Sequence, residues 1–371
     1  MGGVSQGHNG AMGEKKVAPS YAAAELQARG HRASHDFAKA ADGARSAADI
    51  ALDEGDSAGW WNMTFLQAEN LLDAGDFAAS TALARSLSEA SLAVASPQHR
   101  ARALILMANS LRGEGLLEMA TSAAASAVGL VDDDADMEID VHARQALIAA
   151  FGESGKLEEA WEECLSLSAR ISDEMDDQLA GKAYWVIGNV AFLCDKVAEG
   201  LHYHELAAET FSPSRNLDVW AKFNKASAAM RLAAEVADAA TLRCIERAEL
   251  ATDVVGGSEE EILLLRLNRA HWNYLAGDAG AALELLNEIS RSADQLPAQM
   301  AGEVFLLMAR AQAGTGNKQA AKESLVEAAD RFEKAGAHQR ASKPGRCLSR
   351  GPDSEARFWA RVARAGVGCV R

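Results

Sequence analysis

Between residues 181 and 211 the apolar and small positions fall in two runs of helical period with a break between them. Tyr184, Ile187, Gly188 and Ala191 stand at i, i+3, i+4 and i+7, which places them on one face of a first helix. Cys194, Asp195 and Lys196 interrupt the pattern, and Val197, Gly200, Leu201, His204, Ala207 and Ala208 resume it on a second helix. The spacing predicts an αα-hairpin with small residues, Gly188 and Gly200, where the two helices cross and their backbones must approach.

The pattern returns about every forty residues. A turn glycine marks it at Gly75, Gly115, Gly155, Gly277 and Gly316, with Asp195 holding that place in the hairpin above. Glycine supplies the left-handed residue that ends the first helix of each pair. Counting back from the turns gives units beginning near Trp61, Ala101, Val141, Gly181, Leu217, Leu263 and Gly302, at intervals of 40, 40, 40, 36, 46 and 39. Eight residues into these units stand Ala68, Ala108, Ile148, Gly188, Asn224, Ala270 and Ala309. Twenty residues in stand Ser80, Ala120, Ala160, Gly200, Ala282 and Ala321, with the fifth unit out of step. Pro97, Pro213 and Pro297 fall between units, where they stop a helix without breaking one.

Four segments follow from this. Residues 1–20 are poor in apolar positions and read as a disordered leader. Residues 21–60 read as N-terminal capping helices, with Phe37, Ala40, Ala41, Ala44, Ala48 and Leu52 along one stripe. Residues 61–337 form the repeat array. Residues 338–371 form an irregular basic tail, in which Lys343-Pro344-Gly345 and Arg350-Gly351-Pro352 break any helix. From Arg340 onward eight Lys or Arg stand against two Asp or Glu. Two explanations are open: a reading-frame shift in a gene whose relatives continue the array, or a genuine basic tail for nucleic acid or an acidic partner.

Composition narrows the class. Ala, Leu and Glu are abundant, aromatic residues make up 6% and there are only 6 prolines, an all-helical composition. A net charge of −16 argues against the body of the chain gripping phosphate backbones, so no direct nucleic-acid binding by the array is expected. The longest apolar runs, such as Ile262 to Leu265, are far too short to span a membrane, and Met1 to Lys16 holds no hydrophobic segment of a signal peptide. A cytoplasmic location is expected. The five cysteines are scattered singly and read as free thiols of a reducing compartment.

No chemistry-bearing constellation forms. His202 and His204 are two apart on a helix and diverge by about 200°. His31 and His35 have i, i+4 spacing, yet no further ligand completes a metal set. The acidic run Asp132, Asp133, Asp134 and Asp136 alternates like the start of a calcium loop, but Met137 and Ala143 stand where Gly and Glu are needed. Nucleophile-elbow, Walker A and dinucleotide fingerprints are absent, and Val255-Gly256-Gly257-Ser258 follows a helix rather than a strand. No enzyme, cofactor or metal is expected.

Small residues at the two crossing positions, a turn glycine between them, and Leu71, Leu111 and Phe151 three residues after the first small position resemble the tetratricopeptide repeat. That resemblance implies an all-α, right-handed superhelix of about seven helix-turn-helix repeats, an α-solenoid with a concave face. The phrases GNVAFLCDKVAEGLHYHELAAE and NKASAAMRLAAE further resemble the sensor half of actinobacterial transcriptional regulators built from a Cro/repressor-type helix-turn-helix followed by such repeats. Only about sixty residues precede Trp61, and none reads as that DNA-binding module.

In tetratricopeptide repeats the first helix of each pair lines the groove, and its inward positions map here onto Asn109 and Arg112, then Lys182, Trp185 and Asn189, then Lys222 and Lys225, then His271 and Tyr274. Arg102, His142, Gln145, Asn268 and Arg310 fall on the same face. The wall is basic and polar within an acidic chain, which suits a carboxylate, a phosphate or a peptide backbone. It resembles the carboxylate clamp of chaperone-binding repeats in Asn189 and the lysines after it, but Trp185 stands where that clamp needs a Lys. Asn189 and Lys225 are expected to face solvent; the alternative is that the asparagines bond local backbone and that Trp185 and Tyr274 are packing residues.

The function this implies is a non-enzymatic sensor or interaction module, regulatory in the manner of a transcription regulator, that binds a peptide or a small anionic ligand in its groove. The alternatives are a constitutive protein–protein scaffold and a truncated regulator lacking its DNA-binding module. A homodimer is compatible with this pattern.

Overall fold

A computed structural model describes residues 20–131 and 136–336. The tail, nearly all of the leader, and Asp132, Asp133 and Asp134 lie outside the described residues. Within them the chain forms seventeen α-helices and one short 3-10 turn, with no strand. It divides into two compact units, Met1–Leu116 and Leu117–Arg371.

The first unit holds α1 (Tyr21–Ala33), α2 (Phe37–Asp53), α3 (Ser57–Asp73), α4 (Phe77–Glu89), the short α5 (Ser91–Ala95) and α6 (Pro97–Gly113). Three of its connections are built alike. His35, Gly55 and Gly75 take φ of 57°, 78° and 84°, and the aspartate that follows each one caps the next helix through its side chain. The backbone N–H of the same aspartate closes the preceding helix, as in Asp56 to the Ala51 carbonyl at 2.8 Å and Asp76 to the Leu71 carbonyl at 2.9 Å. Two residues thus end one helix and start another. Because His35 lies in such a turn, His31 and His35 do not share a helix face, and the His35 ring instead packs edge-on against Phe37 at 5.8 Å.

The second unit holds α7 (Leu117–Val128), α8 (Met137–Glu153), α9 (Leu157–Ser168), α10 (Asp177–Leu193), α11 (Val197–Thr210), α12 (Leu217–Ala233), α13 (Ala239–Val255), α14 (Glu259–Leu275), α15 (Ala279–Arg291), α16 (Ala298–Gly314) and α17 (Lys318–Lys334), with the 3-10 turn Ala293–Gln295 before α16. Successive helices pack as hairpins, α10 on α11, α12 on α13, α14 on α15 and α16 on α17. Together with the hairpins of the first unit, this is the helical-repeat architecture of an α-solenoid.

The first helices of these hairpins, α10, α12, α14 and α16, are each 17 residues long, as is α8, and the five begin 40, 40, 42 and 39 residues apart. The fifth unit is therefore in step, and the intervals of 36 and 46 read from the sequence are corrected. Its counterpart of Gly188 is the fully buried Ala228, not Asn224. The mistake has a physical origin: the turn residue here is Glu235, held at φ 58° with no glycine to mark it, while the Val236 N–H closes the helix on the Arg231 carbonyl at 2.8 Å. Among the described residues no helix is long and apolar enough to cross a membrane.

Candidate functional site

Once the fifth unit is set in register, the sixth residue of three consecutive first helices in the second unit is basic or an imidazole: His142 on α8, Lys182 on α10 and Lys222 on α12. All three are half-buried. Lys222 Nζ pairs with Asp218 one turn earlier at 2.7 Å, and Lys225 Nζ reaches across to Glu261 on α14 at 2.9 Å. Lys225 with its bonds, together with the Ser258 N–H, outweighs the desolvation of Glu261 and holds its carboxyl below the usual range. These lysines are the cationic part of the predicted wall that solvent reaches.

The other predicted residues of this unit turn inward. Trp185 is fully buried, edge-on to Phe211 at 6.2 Å and to Phe223 at 5.7 Å, and so packs rather than forming an exposed platform. Asn189 is 6% exposed, which corrects the expectation that it faces solvent. The reason lies in its neighbours. Gly188 has no side chain, and a methyl there would fall onto the His204 ring, so the imidazole of α11 settles directly over α10. Asn189 Oδ1 then accepts from His204 Nε2 at 3.1 Å, and His204 Nδ1 accepts from the Ser227 hydroxyl on α12 at 3.0 Å. Cys244 Sγ of α13 donates to the same hydroxyl at 3.8 Å. Burial and the nearby Arg231 guanidinium push His204 down to about 3, so the ring is neutral with one nitrogen donating and the other accepting. Fully buried and weakly basic, it suits a link between hairpins better than a proton acceptor for a substrate.

His271 on α14 is likewise buried and lowered to about 3, by burial and then by Arg310. Tyr274 is half-buried against the aromatic core of the unit. In the first unit, Asn109 Oδ1 accepts from Arg112 Nη1 on the same helix at 3.1 Å, so this asparagine meets its own helix's arginine.

Sequence reasoning missed the buried polar side chains beside this chain of bonds. Arg231 is 2% exposed, with Asp238 at 3.8 Å and Glu205 at 3.9 Å as its nearest carboxylates. Asn224 is fully buried and donates to the Trp220 carbonyl at 2.7 Å, leaving its Oδ1 without a partner among the described residues. The Trp185 Nε1 and Asn189 Nδ2 donors are in the same position. The only advance signal is polarity at first-helix positions that a packed array normally fills with Ala or Leu. Among the described residues no group of three His, Cys, Asp or Glu could hold a metal ion.

The fold and these side chains define a helical-repeat protein of tetratricopeptide-like architecture. A solved structure of the same kind is aspartyl phosphate phosphatase F from Bacillus subtilis, to which the chain is similar with a TM-score of 0.54 at 11% sequence identity, over 78% of this chain and 75% of that one. At that identity the likeness is one of fold. No protein-family model matches the chain, and no match is found among curated proteins.

Proposed function

We propose that the chain is a non-enzymatic, regulatory interaction module that binds an extended acidic peptide, presented by a partner protein or free, along the inner helices of its second unit. The observation that carries this reading is the repeat of His142, Lys182 and Lys222 at one position of three successive first helices, inside a chain of net charge −16. Scattered surface charge would follow the bulk sign. Packed helices lie about 8–10 Å apart, and an extended chain advances about 3.3–3.6 Å per residue, so every third residue of a bound strand would meet the next rung. Lys222 would exchange its exposed intrahelical partner Asp218 for a ligand carboxylate at small cost, since such i, i+4 pairs contribute only about 0.3–0.5 kcal/mol. Trp185 and Asn189 support the site by fixing α10, which carries one rung, against α11 and α12. The regulator-like role rests on the sequence resemblance, and a peptide that changes the angle between hairpins would act through the joints between them.

Fluorescence anisotropy with a labelled peptide of four Asp-Ala-Ala repeats tests this. Binding is expected to weaken as salt rises, to be absent for the Asn-Ala-Ala counterpart, and to be lost in the doubly substituted Lys182→Glu, Lys222→Glu chain with its circular dichroism unchanged. Equal binding of both peptides, or of the charge-reversed chain, would sink the reading.

A further inference from the structure

The first unit contains a cavity of about 300 Å³ on the inner register of its repeats, with Asn62 and Arg102 of the lining at the sixth position of α3 and α6. Helix α1 forms one wall, and the first helices α3 and α6 form the others. Its volume lies at the low end of small-ligand sites, which run from about 300 to 1,000 Å³. Met63 and Leu66, both buried, and the ring of Phe65 make an apolar floor.

The polar lining is bipolar. Arg102 from α6 lays its guanidinium across two stacked rings, 4.6 Å from Phe65 and 5.3 Å from Trp61. Cation–π attraction holds a guanidinium in place without consuming its N–H donors. Among the described residues no carboxylate comes within ion-pair distance of Arg102. A planar fork fixed on aromatic rings with its donors open suits a ligand carboxylate. Across the cavity stands Glu25 of α1, whose contacts with Arg29 Nε and Nη2, both at 2.9 Å, fall on the single oxygen Oε1. Oε2 remains for a cation, and Glu69 adds a second carboxylate to the lining. Two acids and two arginines facing one small space disfavour a bare dianion such as phosphate and match a ligand carrying one charge of each sign.

The geometry points to a binding site for a zwitterionic amino acid or dipeptide with an apolar side chain, its carboxylate on Arg102, its ammonium group on Glu25, and its side chain over Phe65, Met63 and Leu66. The site is separate from the proposed peptide surface of the second unit and stands or falls without it.

Isothermal titration calorimetry on the full chain with L-leucine, L-phenylalanine and L-leucyl-L-leucine is the test. At least one is expected to bind with a stoichiometry of one, and the N-acetyl and C-terminal amide forms of that ligand to bind at least tenfold more weakly. Arg102→Gln and Glu25→Gln should each cost at least tenfold, while the exposed Lys318→Ala leaves affinity unchanged. Glu25→Gln keeps the size and shape of a side chain that is only half-buried, so it keeps the test valid even if loss of the arginine over the rings perturbs folding. The proposal is overturned if none of the three zwitterions binds, if the amide or acetyl form binds equally well, or if Glu25→Gln retains full affinity.

Discussion

Where α1, α2 and α3 meet, alanine does most of the packing: Ala24 and Ala28 on one helix, and Ala40, Ala41, Ala44, Ala47, Ala48 and Ala51 on the next, are all buried. Where α10 and α11 meet α12, the space is filled by Trp185, Phe192, Phe211 and Phe223 around the His204 imidazole. Both are joints in a helical array, yet their physics differs. Alanines bring backbones close and spread the stabilisation over many small contacts, none of which specifies a unique neighbour. The aromatic joint concentrates apolar area in a few rings and adds directional bonds from His204 to Asn189 and Ser227.

The contrast predicts unequal responses to truncation. Trp185→Ala should destabilise the chain by about 3–5 kcal/mol, the range for removing a buried large aromatic side chain, measured by urea unfolding. Ala44→Gly at the alanine joint should cost only about 1 kcal/mol, the helix-propensity difference. Similar losses at the two positions would erase the distinction.

Acid should attack the second unit through its imidazoles. His204 and His271 have folded values of about 3 against an ordinary 6.5, so between those values the unfolded chain binds more protons than the folded one. Their stabilising contribution is complete above pH 6.5 and is lost as pH falls toward 3, at about 1.4 kcal/mol per pH unit for each imidazole. Between pH 6.5 and 5 most carboxylates remain ionised, so the slope there reports the histidines. His204→Gln should flatten it by about half, and an unchanged slope would contradict the buried, neutral assignment.

The smallest effect concerns the fifth unit. Glu235 holds a left-handed backbone at φ 58° that favours glycine, so Glu235→Gly should raise stability by about 1 kcal/mol. A loss would mean that the glutamate side chain does more there than occupy a turn.

These joints explain what the sequence could disclose. Hairpins, turn glycines and small crossing residues were readable because each depends on neighbours within one unit. The register of the fifth unit was not, since Glu235 adopts the glycine conformation without a glycine. The inward turn of Trp185, Asn189 and His271 was not readable either. Helices α10 and α12 are buried on nearly every side, so a stripe that would face a groove in an isolated repeat meets the next hairpin instead. The cavity beside Arg102 lies between α1, α3 and α6, and although the period places these helices in sequence, it does not record which of their side chains leave a space between them.

The bonds from Cys244 through Ser227 and His204 to Asn189 run in one donor-to-acceptor direction across four helices. A chain of similar forty-residue modules risks docking a hairpin onto the wrong neighbour while it folds. Gly188, Asn189 and His204 lie within one hairpin and keep their contacts wherever it docks, but only α12 offers the Ser227 hydroxyl; Met107, Leu147, Ile187, Arg269 and Met308 stand at that position on α6, α8, α10, α14 and α16, so a misplaced neighbour would leave the buried His204 Nδ1 without its donor. The joint thus serves as a key that lets one order of assembly close and makes the shuffled orders expensive.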